Sequence, residues 1–431
     1  MQDRNNRNNR RSGGNNNKQS QKAAAARAAE QVDICLYNAL RSVFMDEAFC
    51  APAITKALKG LNNTRQHPFV TSAFYGVLDN NVRLDKIINS LCERAPDKNT
   101  SVVLKIGLFY CLYADMPDYA AVNRAVELAK HVGAFSGFVN AVLKKSIGFT
   151  PKFASAAEKF SYDCSTPEWL CKQIIADYGA DKAAGILRAE LPQSTHIRPV
   201  KGRISAEDFA SAANGGEFTE YGCYCDRAML DRFAPGSVAV QSVSSVRAVN
   251  AYVKGYPRGK VIDLCAAPGG KSVYLSELGD YSITACDIYE HKLDLMRGYA
   301  KKLGAKIDVK LNDATVHNPE FDGAFDIVIA DCPCSGTGTI KTKPDILLKR
   351  KPTDIPELNE IQSKILDAAA GYCKTGGVLC YSTCSILKSE NEEIGDKFLS
   401  AHPEYTRLDR MKLLPDTDRC DGFYIERFVR G

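Results

Sequence analysis

Phe325-Asp326-Ile327-Val328-Ile329-Ala330-Asp331-Cys332-Pro333-Cys334-Ser335-Gly336 is the stretch whose reading decides the fold. Phe325 to Ala330 is a short, largely apolar run, and the turn-formers Pro333 and Gly336 follow it. A second run, Gly377 to Tyr381, leads in the same way into Ser382-Thr383-Cys384-Ser385. Runs of this length bounded by turn signals read as buried strands of a parallel sheet. In open α/β sheets, ligands bind at the carboxyl ends of the strands. Two cysteines and an acid are therefore expected on the rim of one sheet. A third run, Val261 to Leu264, brings the turn Cys265-Ala266-Ala267-Pro268-Gly269-Gly270-Lys271-Ser272 to that rim.

The alternation continues outward. Strands are expected at 261–264, 282–286, 307–311, 325–330 and 378–382, with helices at 271–278, 289–303 and 356–372. Alternating β and α predicts a doubly wound parallel sheet over residues 238–431. A terminal pair, 408–414 and 423–429, is expected as an edge hairpin.

Residues 23–150 follow a helical period instead. Val32, Leu36, Ala39, Leu40 and Val43 make one apolar stripe. Further helices are expected near 69–77, 84–91, 102–113, 121–130 and 135–145, making an all-α domain that Pro151 closes. Arg124, Lys130, Lys144 and Lys145 read as the solvated face of two of these helices, or else as contacts to phosphate. Residues 151–237, with possible short strands at 195–198 and 222–224, read as a small α+β connector.

A chain of 431 residues is expected to hold two or three domains. No apolar run reaches membrane-span length, and no secretory signal opens the chain. Sixteen cysteines are scattered with no CxxC pair, and histidines number six. This favours a reduced cytoplasmic protein over a disulfide scaffold or a zinc site. Cys223/Cys225 and Cys332/Cys334 are CxC pairs, a poor match to structural zinc spacing. Residues 1–22 carry six basic side chains and one acid, as much net charge as the whole chain's +5. Such a tail on a neutral body reads either as a salt-sensitive hold on a polyanion such as RNA or as a disordered extension.

The turn at Ala267 to Lys271 is not GxGxxG, so it is not a dinucleotide fingerprint. Gly269 and Gly270 still let the backbone approach a ligand at a helix start. Asp287, about 20 residues after the turn, stands where a carboxylate holds ribose hydroxyls. Asp313 follows the third strand, where it is placed to take an adenine amino group. With no Walker lysine motif, a nucleoside ligand without a phosphoryl role fits best, and S-adenosylmethionine is the expected cofactor. At the other end of the rim, Cys384, Asp331 and Cys334 supply what methylation of a cytosine at carbon 5 requires. One thiolate adds to carbon 6, an acid holds the ring, and a second group assists release. Cys286, Cys373 and Cys380 read as small buried hydrophobes.

The segments DLCAAPGGKS (263–272), DCPCSGTG (331–338) and YSTCS (381–385) resemble the signature motifs of RNA cytosine-5 methyltransferases. AVNRAVELAK and GFVNAVLKK in residues 23–150 resemble the NusB-like domain of the bacterial 16S rRNA branch, the Sun/Fmu type. The resemblance implies an all-α NusB-like domain, the connector, and a Rossmann-like methyltransferase domain. It assigns Cys384 as nucleophile, Cys334 as the residue assisting release, and Asp331 with Pro333 as contacts to the target base. It places S-adenosylmethionine against Cys265, Ala266, Ala267, Pro268, Gly269, Gly270 and Lys271, with Asp287, Asp313 and Asp331.

The implied partner is 16S rRNA, free or in an early small-subunit particle, bound by a monomer with no metal and no membrane. Its target base must be splayed from a stack or offered from a loop. Gln241-Ser242-Val243-Ser244-Ser245 departs from the family's Gln-Asp-Glu-Ala-Ser, and Cys332 stands where Ala is usual. Lys341, Lys343, Lys349, Arg350 and Lys351 form a basic segment that reads as an RNA cover or as a solvated loop. Three readings stay open: the same chemistry on tRNA or another rRNA site, a DNA substrate, and a non-catalytic RNA-binding or antitermination factor. The NusB-like fold serves RNA and protein partners alike.

Overall fold

A computed structural model of the chain describes residues 27–192 and 194–431; the basic segment 1–22 lies outside them. The described residues divide into two units, one ending at Cys171 and one beginning at Lys172, inside the helix Glu168–Tyr178.

The first unit is helical throughout its described part, and the helix Lys98–Leu112 runs through its middle. Val102 to Tyr110 are all buried, so this helix is covered on every side rather than on one stripe. Asp97 caps it, accepting from the Thr100 backbone N–H at 3.0 Å. The helices expected at 69–77, 84–91, 102–113, 121–130 and 135–145 are present as His67–Asp79, Asn81–Leu91, Lys98–Leu112, Asp118–His131 and Ser136–Ser146. Arg124 departs from its expected solvated role. Its guanidinium grips buried Asp33 with two hydrogen bonds, 2.9 and 2.6 Å, and the Tyr110 hydroxyl donates to the same carboxylate at 2.7 Å. The cation thus satisfies a buried acid, which would otherwise be costly to bury.

After the rest of the helix Glu168–Tyr178 and the helix Ala180–Arg188, the second unit forms a four-stranded antiparallel sheet of β1 (Thr195–Pro199), β2 (Glu217–Thr219), β3 (Gly222–Cys225) and β4 (Val238–Val240), in the order β2-β3-β1-β4. It is tied to the larger sheet by Arg198, which is almost fully buried. Arg198 pairs with Glu277 at 2.8 Å and donates to Gln241 at 2.7 Å. Gln241 to Ser245 therefore start a helix: Ser242 caps Val243–Tyr252 by accepting from the Ser245 N–H at 3.3 Å.

The larger sheet has seven strands: β5 (Arg258–Asp263), β6 (Asp280–Asp287), β7 (Asp308–Leu311), β8 (Phe325–Asp331), β9 (Cys373–Thr383), β10 (Tyr405–Leu413) and β11 (Phe423–Arg430). Their order is β10-β11-β9-β8-β5-β6-β7. From β9 to β7 the pairing is parallel, and the order in which strands are added reverses between β5 and β8, the crevice where such sheets bind ligands. Side chains alternate across it. Ile262, Val328 and Leu379 pack with Ile365 and Leu366 on one face; Val261, Ile327 and Val378 pack with Val246 and Val249 on the other. The terminal pair forms the expected antiparallel hairpin at one edge of the sheet, with β10 outermost. β11 lies inside the sheet, antiparallel to both β9 and β10, so the sheet is mixed rather than wholly parallel. Phe423 to Phe428 are all buried, the run a two-sided strand requires.

Two features of this sheet give stability tests. On the helix Glu392–Ala401, a Cβ at Gly395 would stand 2.0 Å from Glu426 Oε2. Glu426 is fully buried and bound by Arg407, Arg410 and Tyr424, so it has little room to retreat. Gly395→Ala is expected to destabilise the unit by about 1–3 kcal/mol, read as a lower urea midpoint at unchanged slope. At the end of β5, burial pushes the carboxyl of Asp263 up to about 6 from 3.8, against a hydrogen bond from Ser272 at 2.6 Å. The folded chain thus holds this proton more tightly than the unfolded chain. Its contribution is present below 3.8 and is lost as pH rises through about 6. Asp263→Asn should therefore gain stability relative to the parent as pH is raised across that window, measured as the difference between their unfolding midpoints.

Candidate active site

β8 and β9 pair in parallel with Asp331 opposite Ser382, and the Cys332 N–H donates to the Ser382 carbonyl at 2.9 Å. This register brings the two motif loops side by side. Cys334 Sγ lies 3.1 Å from Cys384 Sγ, and no disulfide joins any of the sixteen cysteines. Cys334 is buried and Cys384 is partly exposed. The Cys384 loop is closed from the far side by a near contact of two backbones. The Gly338 N–H donates to the Cys384 carbonyl at 2.9 Å, and the Gly422 N–H donates to the Gly338 carbonyl at 2.7 Å. A Cβ on Gly338 would stand 2.3 Å from the Gly422 carbonyl oxygen, so only glycine fits.

Asp331 is fixed at both oxygens. Ser382 donates to Oδ1 at 2.9 Å, and Lys271 Nζ pairs with Oδ2 at 2.7 Å. Ser382 is itself held by the Tyr252 hydroxyl at 2.6 Å. Lys271 is delivered by the glycine turn: Gly269 takes φ +99°, a left-handed conformation natural to glycine, and the helix Gly270–Leu278 starts there. Burial works to lower the Lys271 ammonium, but the Asp331 carboxylate outweighs it and holds the ammonium above its ordinary value.

The two thiols are unequal. The hydrogen bond from Cys334 pulls the Cys384 thiol below its ordinary value; burial and Asp331 oppose this, and the ammonium groups of Lys343 and Lys271 assist it. The same hydrogen bond, with burial and the Glu390 carboxylate, pushes Cys334 up. Of the two, Cys384 is the easier thiol to ionise and Cys334 the harder.

Beyond Pro333 a cleft of about 610 Å³ runs along the sheet end. It gathers Cys265, Ala267, Asp287, Asp313, Asp331 and Pro333, together with Ile288, Tyr289, Lys292, Thr315, Ile361 and Ile365, which the motifs did not suggest. Asp287 also accepts from the Tyr289 N–H at 3.1 Å, and Asp313 from the Thr315 N–H at 2.9 Å, so each both shapes its own turn and faces the cleft. Ala266 does not line the cleft; it turns into the core with Ala285, Leu293 and Met296. Pro268, Gly269 and Gly270 form the turn, and Lys271 reaches past it to Asp331.

Several residues at the site carry no motif. Arg350, one of the basic segment, donates to the Ser335 and Cys334 carbonyls at 3.0 and 3.1 Å. Gln362 donates to the Pro333 carbonyl at 3.0 Å. Among the described residues there is no group of His, Cys, Asp and Glu placed to hold a metal, and no helix long and apolar enough to cross a membrane.

Comparison with known proteins agrees with this geometry. Residues 253–429 match the family described as 16S rRNA methyltransferase RsmB/F, and residues 19–147 match the NusB family. The probable ribosomal RNA small subunit methyltransferase B of Bacillus subtilis is 30% identical, covering 91% of this chain and 97% of its own. The ribosomal RNA small subunit methyltransferase B of Xanthomonas campestris is 28% identical, covering 91% and 95%. The crystal structure of PH0851 superposes with a TM-score of 0.78 at 23% identity, over 94% of this chain and 99% of that one, which shows a shared fold. On the match to a relative spanning nearly both chains, and on a NusB domain preceding the catalytic fold, this chain belongs to the 16S rRNA methyltransferase RsmB/F family.

Proposed function

We propose that this chain transfers a methyl group from S-adenosylmethionine to carbon 5 of a cytosine in 16S rRNA, through a covalent bond between Cys384 and carbon 6. The observation that carries the reading is the contact of two unequal thiols, 3.1 Å apart, beside the Asp331–Lys271 pair. Cytosine carbon 5 is a poor nucleophile. Addition of the Cys384 thiolate to carbon 6 moves electron density onto carbon 5, which then takes the methyl group. Loss of the carbon 5 proton and expulsion of the Cys384 thiolate restore the ring. Asp331, with Pro333, is the group assigned to the target base, its carboxylate pre-set by Ser382 and Lys271.

The inequality of the thiols suits the two halves of this cycle. While Cys384 is a thiolate, its charge keeps the proton on Cys334. Once the Cys384 sulfur is bonded to carbon 6 it is uncharged, and that restraint on Cys334 disappears. Cys334 is then easier to ionise than before the adduct forms, and a thiolate there can take the carbon 5 proton.

The cleft fits a nucleoside cofactor. It offers carboxylates at Asp287 and Asp313 and apolar walls at Ile288, Ile361 and Ile365. Asp287 would hold the ribose hydroxyls and Asp313 the adenine amino group. S-Adenosylmethionine, when bound, supplies the electrophilic methyl. We assign the NusB-like domain to holding the surrounding RNA.

Cys384→Ala is expected to abolish methyl transfer while cofactor binding persists, measured with labelled cofactor. Full activity in that variant would exclude Cys384 as nucleophile. Cys334→Ala should accumulate a protein–RNA adduct, seen as a retarded band on a denaturing gel. Free turnover by that variant would remove Cys334 from the release step. Of 30S particles, free 16S RNA and tRNA, tRNA should be the substrate that is not methylated.

A further inference from the structure

The loops bearing the two cysteines meet on a carboxylate that no motif reading assigned. Glu390 is fully buried. Its Oε1 accepts from the Ser335 N–H at 2.8 Å and from Gln362 Nε2 at 3.2 Å. Its Oε2 accepts from the Ser335 hydroxyl at 2.5 Å and the Ser385 hydroxyl at 2.6 Å. Ser335 follows Cys334, and Ser385 follows Cys384. The next residue, Asn391, is also fully buried and repeats the grip on the second loop. It accepts from the Thr383 hydroxyl at 2.5 Å and donates to the Ser385 carbonyl at 3.0 Å.

We propose that Glu390 is a positioning residue for methyl transfer, acting through Ser335 and Ser385 to hold the Cys334 thiol against Cys384. The proposal rests on the reading of those two cysteines as release group and nucleophile. Four donors, all neutral, converge on the two oxygens, and an ionised carboxylate, which only accepts, matches all four. An acid buried this way costs desolvation that an apolar side chain would not. What the acid supplies is registry: a single group sets the positions of the residues next to both sulfurs. It also places a negative charge beside Cys334, which makes that thiol harder to ionise. Glutamine keeps the shape. Its carbonyl can accept from the two N–H donors, and its amide faces two hydroxyls that must turn to accept it.

The test is the pH dependence of iodoacetamide alkylation at the Cys384 peptide, followed by mass spectrometry on the full chain without RNA or cofactor. Glu390→Ala is expected to move that profile to higher pH by about one unit, because the Cys334 hydrogen bond is lost. It should also lower kcat about 100-fold, the scale for a misplaced group, while affinity for S-adenosylmethionine stays unchanged. Glu390→Gln should lie between Glu390→Ala and the parent in both readouts. A folded Glu390→Ala with the parent's alkylation profile would overturn the proposal, as would a loss of cofactor affinity in step with kcat. Should Glu390→Ala fail to fold, Ser385→Ala, which removes one contact only, is measured the same way, and an unmoved profile there overturns it equally. A parent protein with coupled thiols but no methyl transfer would instead count against the proposed reaction alone.

Discussion

Everything at this site hangs on the parallel pairing of β8 with β9 in one register. With Asp331 opposite Ser382, Cys334 lies three residues past one strand position and Cys384 two past the other, on the same side of the sheet end. Side chains alternate along a strand, so a slip of one residue would send an inward-facing set to the opposite face. The sulfurs would then part, and the Ser382–Asp331 bond with them. The register is fixed by the core rather than by the site. Val328 and Leu379 must face the helix Asp354–Ala370, and Ile327 and Val378 the helix Val243–Tyr252. Burial of those residues, each worth about 1.5–3 kcal/mol, holds in place a polar arrangement that could not hold itself.

That arrangement contains a conflict which Lys271 resolves. A carboxylate and a thiolate close together repel, and Asp331 does oppose ionisation of Cys384. The ammonium of Lys271, 2.7 Å from Asp331, offsets this charge and itself favours the thiolate. The glycine turn that carries Lys271 borders the cleft through Cys265 and Ala267. One turn thus borders both parts of the site, and its residues divide accordingly: Cys265 and Ala267 toward the cleft, Ala266 toward the core, Lys271 toward Asp331.

The sequence made the alternation, the strand ends and the two cysteines that meet there legible because each depends on local order. Apolar runs mark strands, and residues just past them fall on the rim. Asp287 and Asp313 were found the same way. Glu390 was not, for a physical reason. Ser389-Glu390-Asn391-Glu392-Glu393 has the look of a solvated helix start, and Glu393 is exposed; only the tertiary approach of two loops buries Glu390 and Asn391. Arg124 and Arg350 escaped for a similar reason. A basic residue on a helix or loop reads as surface until its buried partner is known, here Asp33 in one case and two loop carbonyls in the other. The position of β11 was also hidden, since a strand's neighbours are set by long-range pairing that its own residues specify only weakly.

The mixed sheet is the last piece of the same logic. After β9 the chain has delivered Cys384 and must still enclose its loop. A further parallel strand beside β9 would begin at the opposite end of the sheet from Cys384. An antiparallel strand begins where β9 ends: Tyr424 pairs with Thr383, so the residues just before β11 arrive beside the loop. Gly422 there bonds to Gly338, and Gly338 to Cys384, with no room at Gly338 for a side chain. The loop after β8, the loop after β9 and the entry to β11 are in this way stitched backbone to backbone. A side chain on a loop would ordinarily be mobile; here the loop is braced on one side by Gly338 and Gly422, and on the other by the buried Glu390–Asn391 pair. The antiparallel return of β11 is therefore part of the scaffold of this site, and its place between β9 and β10 brings Gly422 against Gly338 beside Cys384.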